Sequence, residues 1–269
     1  PGASPKDDQL YTNPANKEVN MVFTFEHMDL DSGPFEKWDA KPLDLVALKH
    51  NLEKWQHALH GVGWNSLYWN NHDQPRVVSR FGNDQEYRVT SAKMLAICLH
   101  MLQGTPYIYQ GEELGMTNVR FDSIEDYKDI ETINMYNSKI EQGIPEDTIM
   151  RGIYAKGRDN ARTPMQWTSD GGFTTGTPWI QMNPNTTEIN VEQALNDSSS
   201  IFYTYQKLIE LRKQHDIITY GSFHLLFPND PKLFVYKRQT EKEEWLVISN
   251  FSNSTEKLQW TSCEVDGLS

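Results

Sequence analysis

The sequence predicts an α/β fold of parallel βα units, as in a (β/α)8 barrel, followed by an antiparallel β region. Three observations predict it. Short apolar strand candidates recur at residues 21–25, 66–69 and 106–109, about 40 residues apart, the spacing of βα units with elaborated loops. The first two are each followed by a helical pattern, and the strands are near-continuously apolar, as strands buried on both faces are. Beyond residue 218 the pattern changes to short strand signals separated by turns.

The elements follow in order. Residues 43–60 carry Leu45, Leu48, Leu52, Trp55 and Leu59 at alternating helical spacings, which predicts one amphipathic helix. Residues 91–103 predict a second, richer in apolar side chains, ended by Gly104 ahead of Pro106. From 111 to 187 the chain is long and polar, with short helical pieces such as 123–139. An insertion of that length after a strand usually shapes a binding site. Residues 201–215 place Ile201, Tyr205, Leu208 and Leu211 on one side of another helix. Strands are then predicted at 222–227, 233–238, 244–250 and 256–260, with a turn at Pro228 to Pro231. No strand signal follows from Cys263 to the last residue.

Composition narrows the function classes. The net charge of −12 argues against a nucleic-acid partner. No apolar run is long enough for a helix to cross a bilayer. Of the two cysteines, Cys98 lies in an apolar run and reads as a buried free thiol. Nothing suggests a disulfide framework, so a cytoplasmic location is expected. No Cys/His set has zinc spacing and no glycine-rich phosphate loop is present. Asp29 and Asp31 lack the rest of a calcium-loop pattern and read as a solvated turn. No cofactor is expected from the residues.

The most informative stretch is NSLYWNNHDQPRVVSRFG, residues 65–82. A strand runs straight into Asn70, Asn71, His72 and Asp73, placing titratable groups at its C-terminal end, where barrel enzymes build their sites. On its own, NNHD reads first as an Asx turn with a satisfied histidine. The flanking HDQPRVVSRFG resembles the seventh-strand motif of glycoside hydrolase family 13, the α-amylase superfamily, in its oligo-1,6-glucosidase and α-glucosidase branch. MVFTFEHMDLDSG resembles that family's sixth strand, GTPYIYQGEELGMTN its eighth, RDNARTPMQW the loop after it, and SSIFYTYQKLIELRK the last barrel helix.

The resemblance implies an architecture and a site. Residues 1–218 would be the C-terminal part of a catalytic barrel, strands 6–8, and residues 219–269 the start of a C-terminal β domain. The family's nucleophilic aspartate and acid/base glutamate lie on strands 4 and 5. Pro1 and Gly2 match the end of the fifth-strand motif, so both would precede this sequence, as would any structural calcium site. The chain alone would then hydrolyse no glucoside. A retaining glycosidase works through two carboxyl groups and an oxocarbenium-like transition state. Asp73 would stabilise that state and His72 would bind the same sugar. Arg158 matches an arginine that closes the pocket on the non-reducing sugar, which would make the enzyme exo-acting. Arg162 would anchor the loop, and both arginines read nearly as well as structural ion pairs. Lys37 and Glu131 match positions reaching the sugar beyond the scissile bond, though each reads equally as an exposed loop residue. Glu112 and Glu113 would brace the eighth strand, and a supporting role for Glu26 and His27 is left open.

The implied substrate is an isomalto-oligosaccharide with α-1,6 links, and the full-length enzyme is expected to be a monomer. Trehalose-6-phosphate hydrolase is the nearest alternative. Sucrose isomerases rank lower, because they carry an arginine-rich loop where this chain has Asp73, Gln74, Pro75 and Arg76. A non-catalytic, amylase-like binding protein is the reading from another class, and the retention of His72 and Asp73 argues against it.

Overall fold

The computed structural model describes residues 3–33 and 36–258. Helix α1 (Pro5–Thr12) starts at a capping box in which Ser4 and Asp7 satisfy each other's backbone N–H groups. A hairpin, β1 (Ser32–Gly33) with β2 (Glu36–Ala40), follows the first strand segment. Helix α2 (Leu45–Leu59) is capped by Asp44, whose side chain accepts from Ala47 N, and buries the predicted face of Leu45, Leu48, Leu52, Trp55 and Leu59.

The three predicted strands lie parallel and in sequence order. Val22 bridges Asn65, and β3 (Ser66–Leu67) pairs with β4 (Thr105–Pro106). Ser66 N donates to Val22 O at 2.9 Å, and Tyr107 N to Leu67 O at 2.7 Å. The ladders are shorter than the apolar runs. Tyr68 and Trp69 leave β3 yet are 2% and 0% exposed, so burial continues into the loop that carries the site. Phe23 stacks on Tyr68 and Tyr107 with ring centroids 5.7 and 4.9 Å apart, across the three neighbouring strands.

After β3 come α3 (Val77–Arg80) and α4 (Arg88–His100). Helix α4 begins before the predicted Ser91. Ser91 resembles an N-cap, but its hydroxyl accepts from Asn83 N in the preceding loop. Cys98 is a buried free thiol, pushed up to about 12 by burial. The insertion after β4 holds α5 (Ile130–Glu141), α6 (Glu146–Lys156) and the short α7 (Asp159–Arg162). It has its own core, in which Val119, Phe121, Tyr127, Ile149 and Ile153 are buried.

Helices α8 (Val191–Asn196), α9 (Ile201–Gln214) and α10 (Asp216–Tyr220) lead to an antiparallel sheet of β5 (Ser222–Leu226), β6 (Leu233–Gln239) and β7 (Glu244–Asn250). Phe223, Phe234, Tyr236 and Val247 of this sheet share the main core with α2 and α4. The buried Lys49 of α2 donates to the carbonyls of Phe227, Asp230 and Leu233, tying the β5–β6 turn down. Of the fourth predicted strand, residues 256–258 join no strand, and 259–260 lie outside the described residues, as do Cys263 and the tail.

Glu112 braces α9 by accepting from Tyr205 Oη at 2.6 Å, and Glu113 accepts from Gly111 N at 2.8 Å. Burial raises Glu112 from 4.5 to about 7. A carboxyl raised on folding contributes stability that is complete below 4.5 and lost as pH climbs through 7. Glu112→Gln should therefore abolish a pH-dependent loss on the order of 2 kcal/mol between pH 5 and 7.5. Urea unfolding of both proteins at the two pH values checks it, and equal pH slopes would contradict it. Among the described residues, no helix is long and apolar enough to cross a membrane.

Candidate active site

The loop from Trp69 to Arg76 leaves β3 with Asn70 and Arg76 buried and His72 and Asp73 facing outward. Asn71 makes the Asx turn, its Oδ1 accepting from Asp73 N at 2.8 Å. The turn therefore exists, as the Asx-turn reading expects, and His72 and Asp73 project from it. His72 Nε2 sits 3.4 Å from Asp73 Oδ2, and both side chains are substantially exposed.

All six predicted site residues meet in one charged cluster. Arg162 Nη2 donates to Asp73 Oδ1 at 2.7 Å, and its Nε to the His72 carbonyl at 2.9 Å. Arg158 Nε lies 2.9 Å from Glu131 Oε2 and 3.7 Å from Asp73 Oδ1. Lys37 Nζ, from β2, reaches the same Glu131 oxygen at 2.5 Å. Strand β2, the loop after β3 and the insertion after β4, with partners 89 to 94 residues apart, thus converge on paired charges.

Sequence reasoning missed the residue at the centre of this cluster. Asp129 is buried, and its Oδ1 lies 3.3 Å from Arg162 Nη1 and 3.8 Å from Arg158 Nη1. Its other oxygen caps α5, accepting from Thr132 N and Oγ1. The Asp-x-x-Thr spacing is a helix N-cap signal, and that signal could have found it. Asp159, also buried, accepts from the backbone N–H of both Lys128 and Asp129 and fixes where α5 begins.

Two buried arginines hold the loop from beneath. Arg76 donates through Nε to Asn160 O at 3.0 Å, through Nη2 to Ala161 O at 3.1 Å, and through Nη1 to Gln110 O. It therefore ties the Asp73 loop to the end of β4 and to α7, which bears Arg162. Burial lowers its guanidinium to about 10, so it stays charged at neutral pH. Arg80 forks onto Asp31, Nε to Oδ2 at 2.8 Å and Nη2 to Oδ1 at 2.7 Å, while Nη1 reaches Gln74 beside Asp73. Lys156 Nζ completes the group 2.6 Å from Asp31 Oδ1. The reading of Asp31 as part of a solvated turn is therefore wrong. It is 3% exposed, because two cations from α3 and α6 compensate its charge.

His27 and Glu26 do not reach the cluster. His27 is buried, its Nε2 is 3.0 Å from Tyr68 O, and burial lowers it to about 4. It is neutral at pH 7, so Nε2–H is the donor to that carbonyl. Glu26 accepts from Asn51 and Trp55 on α2. Among the described residues, no group of three or more His, Cys, Asp or Glu is placed to hold a metal ion.

The cluster lies where the loop after β3 meets the insertion after β4, beyond the C-terminal ends of a parallel sheet, the end at which barrel folds build their sites. The chain belongs to the α-amylase catalytic-domain family, whose model matches residues 2–221. It is 62% identical over 253 residues to an oligo-1,6-glucosidase of Halalkalibacterium halodurans, covering 93% of this chain and 45% of that protein. It is 54% identical over 244 residues to a trehalose-6-phosphate hydrolase of Bacillus subtilis, covering 90% of this chain and 44% of that protein. The crystal structure of a Bacillus licheniformis trehalose-6-phosphate hydrolase mutant superposes with a TM-score of 0.95 at 50% identity, over 97% of this chain and 48% of that one. The chain spans about half the length of the curated relatives it matches.

Proposed function

We propose that the protein carrying this chain is a retaining, exo-acting α-glucosidase that cleaves α-1,6 links of isomalto-oligosaccharides. The observation that carries this reading is the convergence of His72, Asp73, Arg158, Arg162, Glu131 and Lys37 on one cluster, in a chain 62% identical to an oligo-1,6-glucosidase. Asp73 would stabilise positive charge developing on the sugar ring while His72 donates to its hydroxyls. Arg158 would close the site on the terminal glucose, and Arg162, bonded to Asp73, Asp129 and the His72 carbonyl, would anchor the loop. The nucleophile and the acid/base would come from outside this sequence. Residues 1–218 would then be the C-terminal part of the catalytic barrel and 219–269 the start of a β domain, in a cytoplasmic, monomeric enzyme.

Trehalose-6-phosphate hydrolase is the second reading, supported by relatives at 54% identity and by the superposition. The higher identity to the oligo-1,6-glucosidase ranks it second, and a phosphate-binding cluster of Lys or Arg, the feature that would favour it, would lie largely outside this sequence. Glucose release from isomaltose, maltose and trehalose 6-phosphate distinguishes the readings. We expect kcat/KM for isomaltose to exceed that for trehalose 6-phosphate by about tenfold or more. The reverse order would assign the second reading.

A further inference from the structure

A groove of ≈ 550 Å³ opens beside the charged cluster, between β2 and α5. That size lies within the range of small-molecule sites. Glu131 stands at its inner end, with its Oε2 held by Lys37 and Arg158. The groove then runs outward along one face of α5, past Asn134, Met135, Ser138 and Gln142, with Trp38 on the opposite wall. Asn134 and Ser138 are exposed, and among the described residues the Asn134 side-chain amide has no partner. Gln142 Nε2 donates to Ser138 Oγ at 3.1 Å, leaving the rest of that amide free for a ligand.

We infer that this groove binds the glucosyl units beyond the first one on the leaving-group side of an isomalto-oligosaccharide. The inference rests on the glucosidase reading above and adds a dependence on chain length. A glucosyl unit presents apolar C–H faces edged by hydroxyl groups. An indole and a thioether suit the faces, while planar amides and a hydroxyl suit the edges. The groove offers both kinds of group on facing walls. Its carboxylate, Glu131, is neutralised by Lys37 and Arg158, and its one lining cation, Lys139, already has a partner, so the occupant it fits is uncharged. Glu131 belongs both to the cluster around Asp73 and to the groove, so the two are continuous, and in an exo-acting enzyme every unit beyond the terminal glucose lies on the leaving-group side.

The test is steady-state hydrolysis of isomaltose, isomaltotriose and isomaltotetraose by the full-length protein and two variants. Asn134→Ala should raise KM for the tri- and tetrasaccharide by about fivefold, the worth of one lost hydrogen bond, and leave isomaltose unchanged. Ser138→Trp, which fills the groove, should remove any preference for the longer substrates while isomaltose turnover persists. Variants that change all three substrates alike, or none, would overturn the inference while the unsubstituted enzyme still cleaves isomaltose. An unsubstituted protein inactive on isomaltose would instead overturn the glucosidase reading, and the groove's assignment with it.

Discussion

In the full-length protein, under the glucosidase reading proposed above, Asp73→Asn should lower kcat for isomaltose by about 100- to 1,000-fold or more, with a far smaller change in KM. Asparagine keeps the shape and one acceptor oxygen, and it loses the negative charge. That charge matters most when the ring carries positive charge, which is in the transition state rather than in the bound substrate. The loss should therefore fall on kcat. Folding should be nearly indifferent. Asp73 is 42% exposed, and Arg162 keeps Asp129 and the His72 carbonyl when its bond to the Asp73 carboxylate weakens. A half-exposed ion pair of this kind is worth about 0–1 kcal/mol. Kinetics paired with a thermal melt separates the two effects. A variant retaining a tenth or more of the activity at unchanged Tm would remove Asp73 from the chemistry.

The groups that could be read from the sequence were those whose local pattern carries their role. The helical spacing of Leu45, Leu48 and Leu52 states which face is buried, and the structure buries it. HDQPR, GRDNART and DIETIN each stood out as motifs, and their charged residues meet. The strands predicted at 66–69 and 106–109 were placed correctly but overestimated in length, that at 21–25 is reduced to a single bridge at Val22, and 256–258 joins none. An apolar run reports burial, and Tyr68 and Trp69 remain buried after the hydrogen-bonded ladder has ended. The arginines under the site were illegible for another reason. Arg76 bonds to carbonyls 34 to 85 residues away, and any residue type supplies a carbonyl. Asp31 looked like an ordinary loop carboxylate because its partners, Arg80 and Lys156, are distant in sequence. A charge that will be paired by tertiary contacts has the same neighbours in the chain as one that will face water.

Asp31→Ala should destabilise the protein by about 3–5 kcal/mol, whereas Lys156→Met should cost far less. The two cations are not equivalent. Arg80 forks onto both oxygens of Asp31 and also holds the Met28 carbonyl and Gln74. Removing the carboxylate leaves a guanidinium and an ammonium buried together without a counter-charge. Removing Lys156 leaves the Asp31–Arg80 pair complete and relieves repulsion between two cations. The titrations follow the same geometry. Burial and the nearby Arg80 lower Lys156 from 10.5 to about 8. The unfolded chain therefore binds more protons between those values, and stability should rise with pH there in the parent but not in Lys156→Met. Burial opposes the charge on Asp31, yet bonds from Arg80 and Lys156 hold its carboxyl below its usual value of 3.8. Its contribution is complete above that value and lost only as pH falls through the lowered one, so Asp31→Ala should flatten the acid limb. Because Arg80 also grips Gln74 next to Asp73, the same variant should lose activity before it unfolds. Urea midpoints for the three proteins between pH 3 and 10, with activity followed alongside, check all of these. A Lys156→Met variant as unstable as Asp31→Ala would mean that the ammonium, rather than the guanidinium, holds the carboxylate in place.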